Sequence, residues 1–179
     1  MRLELNKERL LSLIEMKIIH LYKTYEILLK ELLLCAFPNF DQASLYKWDS
    51  VKTLMNEHRI PFGSLNEYAY VDQLRKVNNN IKHSSFVENN VQNTVPSLKG
   101  IEKYDHENLE DFYQSVKGQI KPFLNDVASG IQDYLYNFPS ERIEGIVEDY
   151  SLRMESKELE IFAEKLLKSA EEIKTGDLI

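Results

Sequence analysis

The chain reaches Pro38 before it meets a proline and Gly63 before it meets a glycine, so nothing interrupts a helix anywhere ahead of Pro38. Apolar residues fill that run at steps of three and four: Leu10, Leu13, Ile14, Ile18, Leu21, Tyr25, Leu28, Leu32 and Cys35. Leu11, Ile19, Leu29 and Leu33 widen the stripe, which implies contact with more than one neighbour. The spacing predicts a helix over 5–36, stopped by Pro38, because a proline disfavours helical geometry at the residue before it. A first element this long and this amphipathic commits the rest of the chain to packing around it.

The remaining segments continue in the same style. A second helix is expected from Asp41 as N-cap, carrying Leu45, Trp48, Val51, Leu54 and Met55, and ending by Pro61 and Gly63. A third starts at Ser64 or Asn66 and presents Tyr68, Val71, Leu74, Val77 and Ile81 on one side. Residues 84–105 are rich in Ser, Asn and Thr and read as a long polar loop, of a length that is often functional. A fourth helix is expected over 107–136, with a kink or break at Pro122. Ser140 is the expected N-cap of a last helical region, 140–179, which holds most of the acidic excess. No alternating apolar run is bracketed by a hairpin turn, and no Asn-Gly or Asp-Gly pair occurs. The expected fold is all-α, an up-down bundle of four to six helices, forming one domain over 1–179 with 140–179 as an acidic helical extension.

Composition and motifs exclude several function classes. The net charge of −7 argues against general nucleic-acid binding through the whole surface. No segment is apolar enough to span a membrane, and the charged N-terminal turns resemble neither a secretory nor a transit leader, so a cytoplasmic location is expected. With 6 scattered glycines there is no phosphate-binding loop or dinucleotide fingerprint. A single cysteine offers no thiolate metal site, and no two of the 4 histidines lie within one helical turn. No cofactor and no metal are expected. Cys35 reads as a buried, inert thiol. Trp48 reads as a core anchor with its indole N–H satisfied near the surface. His20 reads as a structural histidine at the edge of a packed face, and His58 and His106 as residues of helix ends.

One constellation stands apart. The third helix contains Arg75-Lys76-Val77-Asn78-Asn79-Asn80-Ile81-Lys82-His83. Three consecutive asparagines are poor helix formers, and a helix that keeps them has a use for their amides. Arg75, Asn79 and His83 fall at i, i+4 and i+8 on one side. Between Ala69 and Phe86 the bases Arg75, Lys76 and Lys82 face one acid, Asp72, so this stretch is locally positive. A guanidinium grips phosphate oxygens, and an imidazole exchanges a proton near neutral pH. The competing reading is a polar helix face that hydrogen-bonds a neighbouring helix or the long loop.

The stretch Leu74-Arg75-x-x-Asn78-Asn79-x-x-Lys82-His83 resembles the signature helix of the HEPN superfamily, and Tyr25, Glu26 and Leu28 on the first helix fit that family more loosely. The resemblance implies a HEPN-like bundle and, in its active form, a metal-independent endoribonuclease of toxin or antiviral-defence type. It implies a homodimer that brings arginine, polar residue and histidine together on RNA, with an antitoxin or defence-system protein as a further partner. Carried over, His83 is the acid/base group at the ribose 2′-OH, Arg75 stabilises the phosphorane-like transition state, and Asn79 holds the phosphate or orients the imidazole. Asn78, Lys76 and Lys82 are the expected RNA contacts. The family pattern places four to six residues between arginine and histidine; here seven intervene and Lys76 follows Arg75. That difference motivates the alternative of a non-catalytic nucleotide- or protein-binding module of the same family. A third reading is an unrelated helical interaction protein in which the asparagines only cap and pack.

Overall fold

The computed structural model describes residues 2–175, with side chains from residue 4 onward. Helix α1, Arg2–Ala36, is followed by a 3-10 turn over Gln42–Tyr46 and by α2, Trp48–Glu57. Then come α3, Tyr68–His83, the short α4, Asn89–Thr94, and α5, His106–Val116. The series ends with α6, Ile120–Tyr136, α7, Ser140–Arg153, and α8, Ser156–Thr175. The expected all-α bundle is present, and no strand occurs among the described residues. Its helices are more finely divided than the four to six expected.

The divisions have local causes. Asp41 does cap, accepting bonds from the backbone N–H groups of Ala43 at 3.2 Å and Ser44 at 3.1 Å, but it caps the 3-10 turn, and α2 begins only at Trp48. The expected 107–136 helix breaks over 117–119, ahead of Pro122, which then sits in the first turn of α6 where its missing N–H costs nothing. Asp105 and Asn108 form a reciprocal capping box that starts α5.

Two compact units result, Met1–Leu135 and Tyr136–Ile179. In the first, α1 packs on α5 and α3, and α3 packs on α4 and α5. Ile14, Ile18, Tyr25, Leu29 and Leu33 form the buried seam of α1, facing Val71, Leu74 and Val77 of α3 and Leu109, Phe112 and Val116 of α5 in one core. Leu10, Leu13 and Leu28, expected on the inner stripe, are exposed. Cys35 is exposed too, against expectation. The seam takes Leu33 and Phe37, and a residue midway between them in sequence points to the opposite side of the helix. In the second unit α7 and α8 pack together, with the Tyr150 and Phe162 rings 5.0 Å apart and no side chain buried.

The expected long loop at 84–105 is not a loop. It holds α4, a 3-10 turn at Pro96–Leu98, and an isolated antiparallel bridge between Phe86 and Lys103. Val87, Val91, Val95 and Leu98 are buried at steps of four, four and three, a helical period masked by the polar residues between them. The segment is tied to α3 by Asn80, which is 3% exposed. Its Nδ2 donates to the Phe86 carbonyl at 3.1 Å, and its Oδ1 accepts from the Glu88 N–H at 3.0 Å and the Tyr104 hydroxyl at 2.7 Å. Burial of the Tyr104 ring and hydroxyl pushes its pKa up, so the hydroxyl stays a donor.

Replacing Asn80 removes three hydrogen bonds at once, that of the buried Tyr104 hydroxyl among them. Asn80→Ala is expected to cost about 2–4 kcal/mol in chemical denaturation and to accelerate amide exchange through 86–104 first. A loss under about 0.5 kcal/mol, the scale of a surface change, contradicts this assignment of Asn80.

Candidate phosphodiester site

Helix α3 rotates about 100° per residue, so its consecutive asparagines enter three different environments. Asn78 is wholly buried, Asn79 is exposed, and Asn80 is the clamp on 84–105. Asn78 Nδ2 donates to Asn79 Oδ1 at 3.1 Å, while Asn78 Oδ1 is buried without a partner. The RNA contact expected of Asn78 is therefore corrected: its side chain belongs to the core and supports Asn79 from behind.

The other expected residues sit where a ligand can reach them. Arg75, Lys76, Asn79 and His83 line one small pocket of about 140 Å³, closed on its far side by Glu88, Asn90 and Val91 from the start of α4. His83 is exposed in the last turn of α3, and the chain leaves the helix at Ser84. Lys82 faces elsewhere, into a larger pocket of about 340 Å³ that Arg75 and Asn79 also line. The ridge expected from the spacing is thus shared between two concavities.

Asp72 organises the cations. Its carboxylate takes Arg75 Nη2 at 2.8 Å and Nε at 3.2 Å, and its other oxygen takes Lys76 Nζ at 2.8 Å. Partial burial alone would raise the Asp72 pKa, but the hydrogen bonds and charges of Lys76 and Arg75 outweigh it and hold the carboxyl below its ordinary value. Arg75 also lies 5.2 Å from the Trp48 ring centroid. Its guanidinium is drawn toward the N-terminal end of α3, held between the Asp72 carboxylate and the Trp48 ring.

The Trp48 ring stacks on Tyr68 at 6.2 Å and meets Phe62 edge-on at 5.4 Å, so it is the core anchor expected. Its N–H is not satisfied: Nε1 is buried and has no partner. Nearby, burial, with the Glu26 charge adding to it, pushes Tyr22 up to about 12, and Arg75 opposes this. Among the other histidines, His58 caps α2, its Nδ1 bonding the Leu54 carbonyl at 2.7 Å. His106 opens α5, and exposed His20 lines an apolar groove with it rather than sitting in a packed network.

Sequence reasoning gave no individual role to Glu88, Asp72 or Asn80. Only Asp72 carried a legible signal, since it stands three and four residues before Arg75 and Lys76 on one helix face. Among the described residues no cluster of His, Cys, Asp or Glu could hold a metal ion, and no helix is long and apolar enough to cross a membrane. No family model, curated protein or solved structure matches the chain.

The Asp72 pairing makes stability pH-dependent in a defined direction. The folded carboxyl has the lower pKa, so between the two values the unfolded chain binds more protons and stability rises with pH. The contribution is complete above about pH 4, the unfolded value, and is lost as acid passes through the folded one. Urea midpoints measured against pH should show an acid limb that Asp72→Asn flattens; an unchanged limb contradicts the assignment.

Proposed function

We propose that this chain is a HEPN-like protein that binds RNA at the Arg75–Asn79–His83 ridge and cleaves it without a metal. The observation carrying this reading is that an exposed imidazole shares one small pocket with a guanidinium, an ammonium and a carboxamide. In this reading it works as a homodimer in the cytoplasm, with an antitoxin or defence-system protein as a further partner.

The chemistry is a transesterification. The ribose 2′-oxygen attacks phosphorus, the bond from phosphorus to O5′ breaks, and the products are a 2′,3′-cyclic phosphate and a 5′-hydroxyl. One group must take the 2′-OH proton and another must deliver one to O5′. His83 is one of the pair. Glu88 lines the same pocket and offers the second proton carrier within a single chain; in a homodimer His83 of a second copy is the other candidate. Arg75, Lys76 and Asn79 supply donors to the non-bridging oxygens as charge builds there. Asp72 keeps the arginine preorganised.

A second reading is a non-catalytic RNA-binding module, and one observation favours it. Arg75 and His83 are separated by about 12 Å along the helix axis, and Asp72 draws the guanidinium further from the imidazole. The two groups then serve neighbouring phosphates rather than a single one.

Incubating the protein with single-stranded RNA in EDTA separates the two. Cleavage leaving 2′,3′-cyclic ends, reduced about 10²- to 10⁴-fold by His83→Ala, supports the enzyme. Glu88→Gln then tells whether the second proton carrier lies in the same chain, since its loss removes one limb of the pH–rate profile. Salt-dependent binding without cleavage by the wild type selects the module instead.

A further inference from the structure

The larger pocket beside the ridge has no role in the transesterification. Tyr22 and Tyr25 come from α1, Trp48 from the start of α2, and Arg75, Asn79 and Lys82 from α3, around a space of about 340 Å³. That is near the lower end of small-molecule sites, roughly 300–1,000 Å³, so it suits one flat group and not a base pair.

Two features mark it as more than a packing gap. First, Tyr25 is 1% exposed and its hydroxyl has no hydrogen-bond partner, and the Trp48 indole N–H is likewise buried and unpaired. An orphaned buried donor is destabilising, and two side chains that line this pocket carry one each. Second, Arg75 and Asn79 line this pocket and the His83 pocket together, so an occupant of one is in register with an occupant of the other.

We propose that this pocket receives a single nucleobase of the RNA strand whose phosphate lies at His83. The inference rests on RNA as the ligand of the ridge, and it does not require cleavage. Tyr22 is the stacking surface, with the Lys82 ammonium 5.9 Å from its ring centroid. Trp48 is already engaged by Tyr68 and Arg75 and contributes its N–H edge instead. The Tyr25 hydroxyl stays protonated, since burial raises its pKa well above the ordinary phenol value. Two donors therefore wait for a base edge that carries acceptors, such as ring carbonyl oxygens. Neither donor has exposed surface, so the Tyr25 and Trp48 side chains must turn toward a base that enters past the exposed Lys82 and Tyr46. Lys30 is not available to the ligand's phosphate, being paired with Glu26 at 3.1 Å and lying 3.6 Å from the Tyr46 ring centroid. Lys82 has no ion pair among the described residues and is the cation at the junction of base and backbone. A duplex cannot present a base this way, so the substrate class is single-stranded RNA with one base turned out.

Trp48 is the only tryptophan of the chain, so its fluorescence reports this pocket directly. The test titrates the full chain with each of the four ribonucleoside 5′-monophosphates, with inorganic phosphate, and with a short single-stranded RNA. Expected is a saturable change with at least one nucleotide, none with phosphate alone, and tighter binding of the RNA. Tyr25→Phe keeps the ring and should weaken binding about tenfold. Lys82→Ala, at the exposed rim, should weaken it as well and serves if Tyr25→Phe fails to fold. No saturable change with any nucleotide up to about 10 mM overturns the proposal, because even a millimolar Kd is visible there. A response undiminished in both variants overturns it too, and RNA binding no tighter than a monophosphate overturns the strand assignment in favour of a free nucleotide. Nucleotide binding with no RNA cleavage removes the enzyme reading and leaves the pocket; cleavage with a silent Trp48 does the reverse.

Discussion

A single buried carboxamide ties α3 to the segment that follows it. The Asn80 amide bonds three partners in a segment whose polar residues flank a buried stripe of Val87, Val91, Val95 and Leu98. With those bonds made, Val87, Val91, Val95 and Leu98 enter the core, and α4 lies across the last turns of α3. Each hydrogen bond alone is worth about 1 kcal/mol net, but losing the shared partner removes all of them at once. The clamp also sets the far wall of the His83 pocket, because it bonds the backbone of Glu88 itself. Fold and candidate site therefore depend on one side chain.

Around that clamp α3 divides its polar face by geometry. Helical rotation sends neighbouring asparagines into core, solvent and interface, which is why three poor helix formers in a row do not break the helix. The buried flanks Val77 and Leu74 fix its phase. Asp72 then decides how the cations behave. Unpaired, Arg75 and Lys76 would sample many rotamers; bonded to one carboxylate, they form a preorganised donor array at the cost of part of their field. The net charge of the chain is negative, while α3 carries Arg75, Lys76 and Lys82 against Asp72 alone between Ala69 and Phe86.

The two pockets express different physics. The His83 pocket is small, open and charged, suited to a phosphate that stays partly hydrated. The Trp48 pocket is larger and ringed by aromatic groups, with donors that water does not reach. Arg75 and Asn79 belong to both, which makes them the hinge between an electrostatic and a shape-dependent contact.

The amino-acid sequence alone determined the helical class, the extent of α1, the end imposed by Pro38, and the alignment of Arg75, Asn79 and His83, because helix period and proline chemistry act over a few residues. The Asp72 cluster was legible for the same reason. Only tertiary packing decided that Cys35 faces outward, that Asn78 is core while Asn80 is a clamp, that 84–105 folds, and that Glu88 shares a pocket with His83. Those outcomes depend on which neighbour lies opposite each residue, through contacts distant along the chain such as Asn80 with Tyr104, and no local spacing encodes that neighbour.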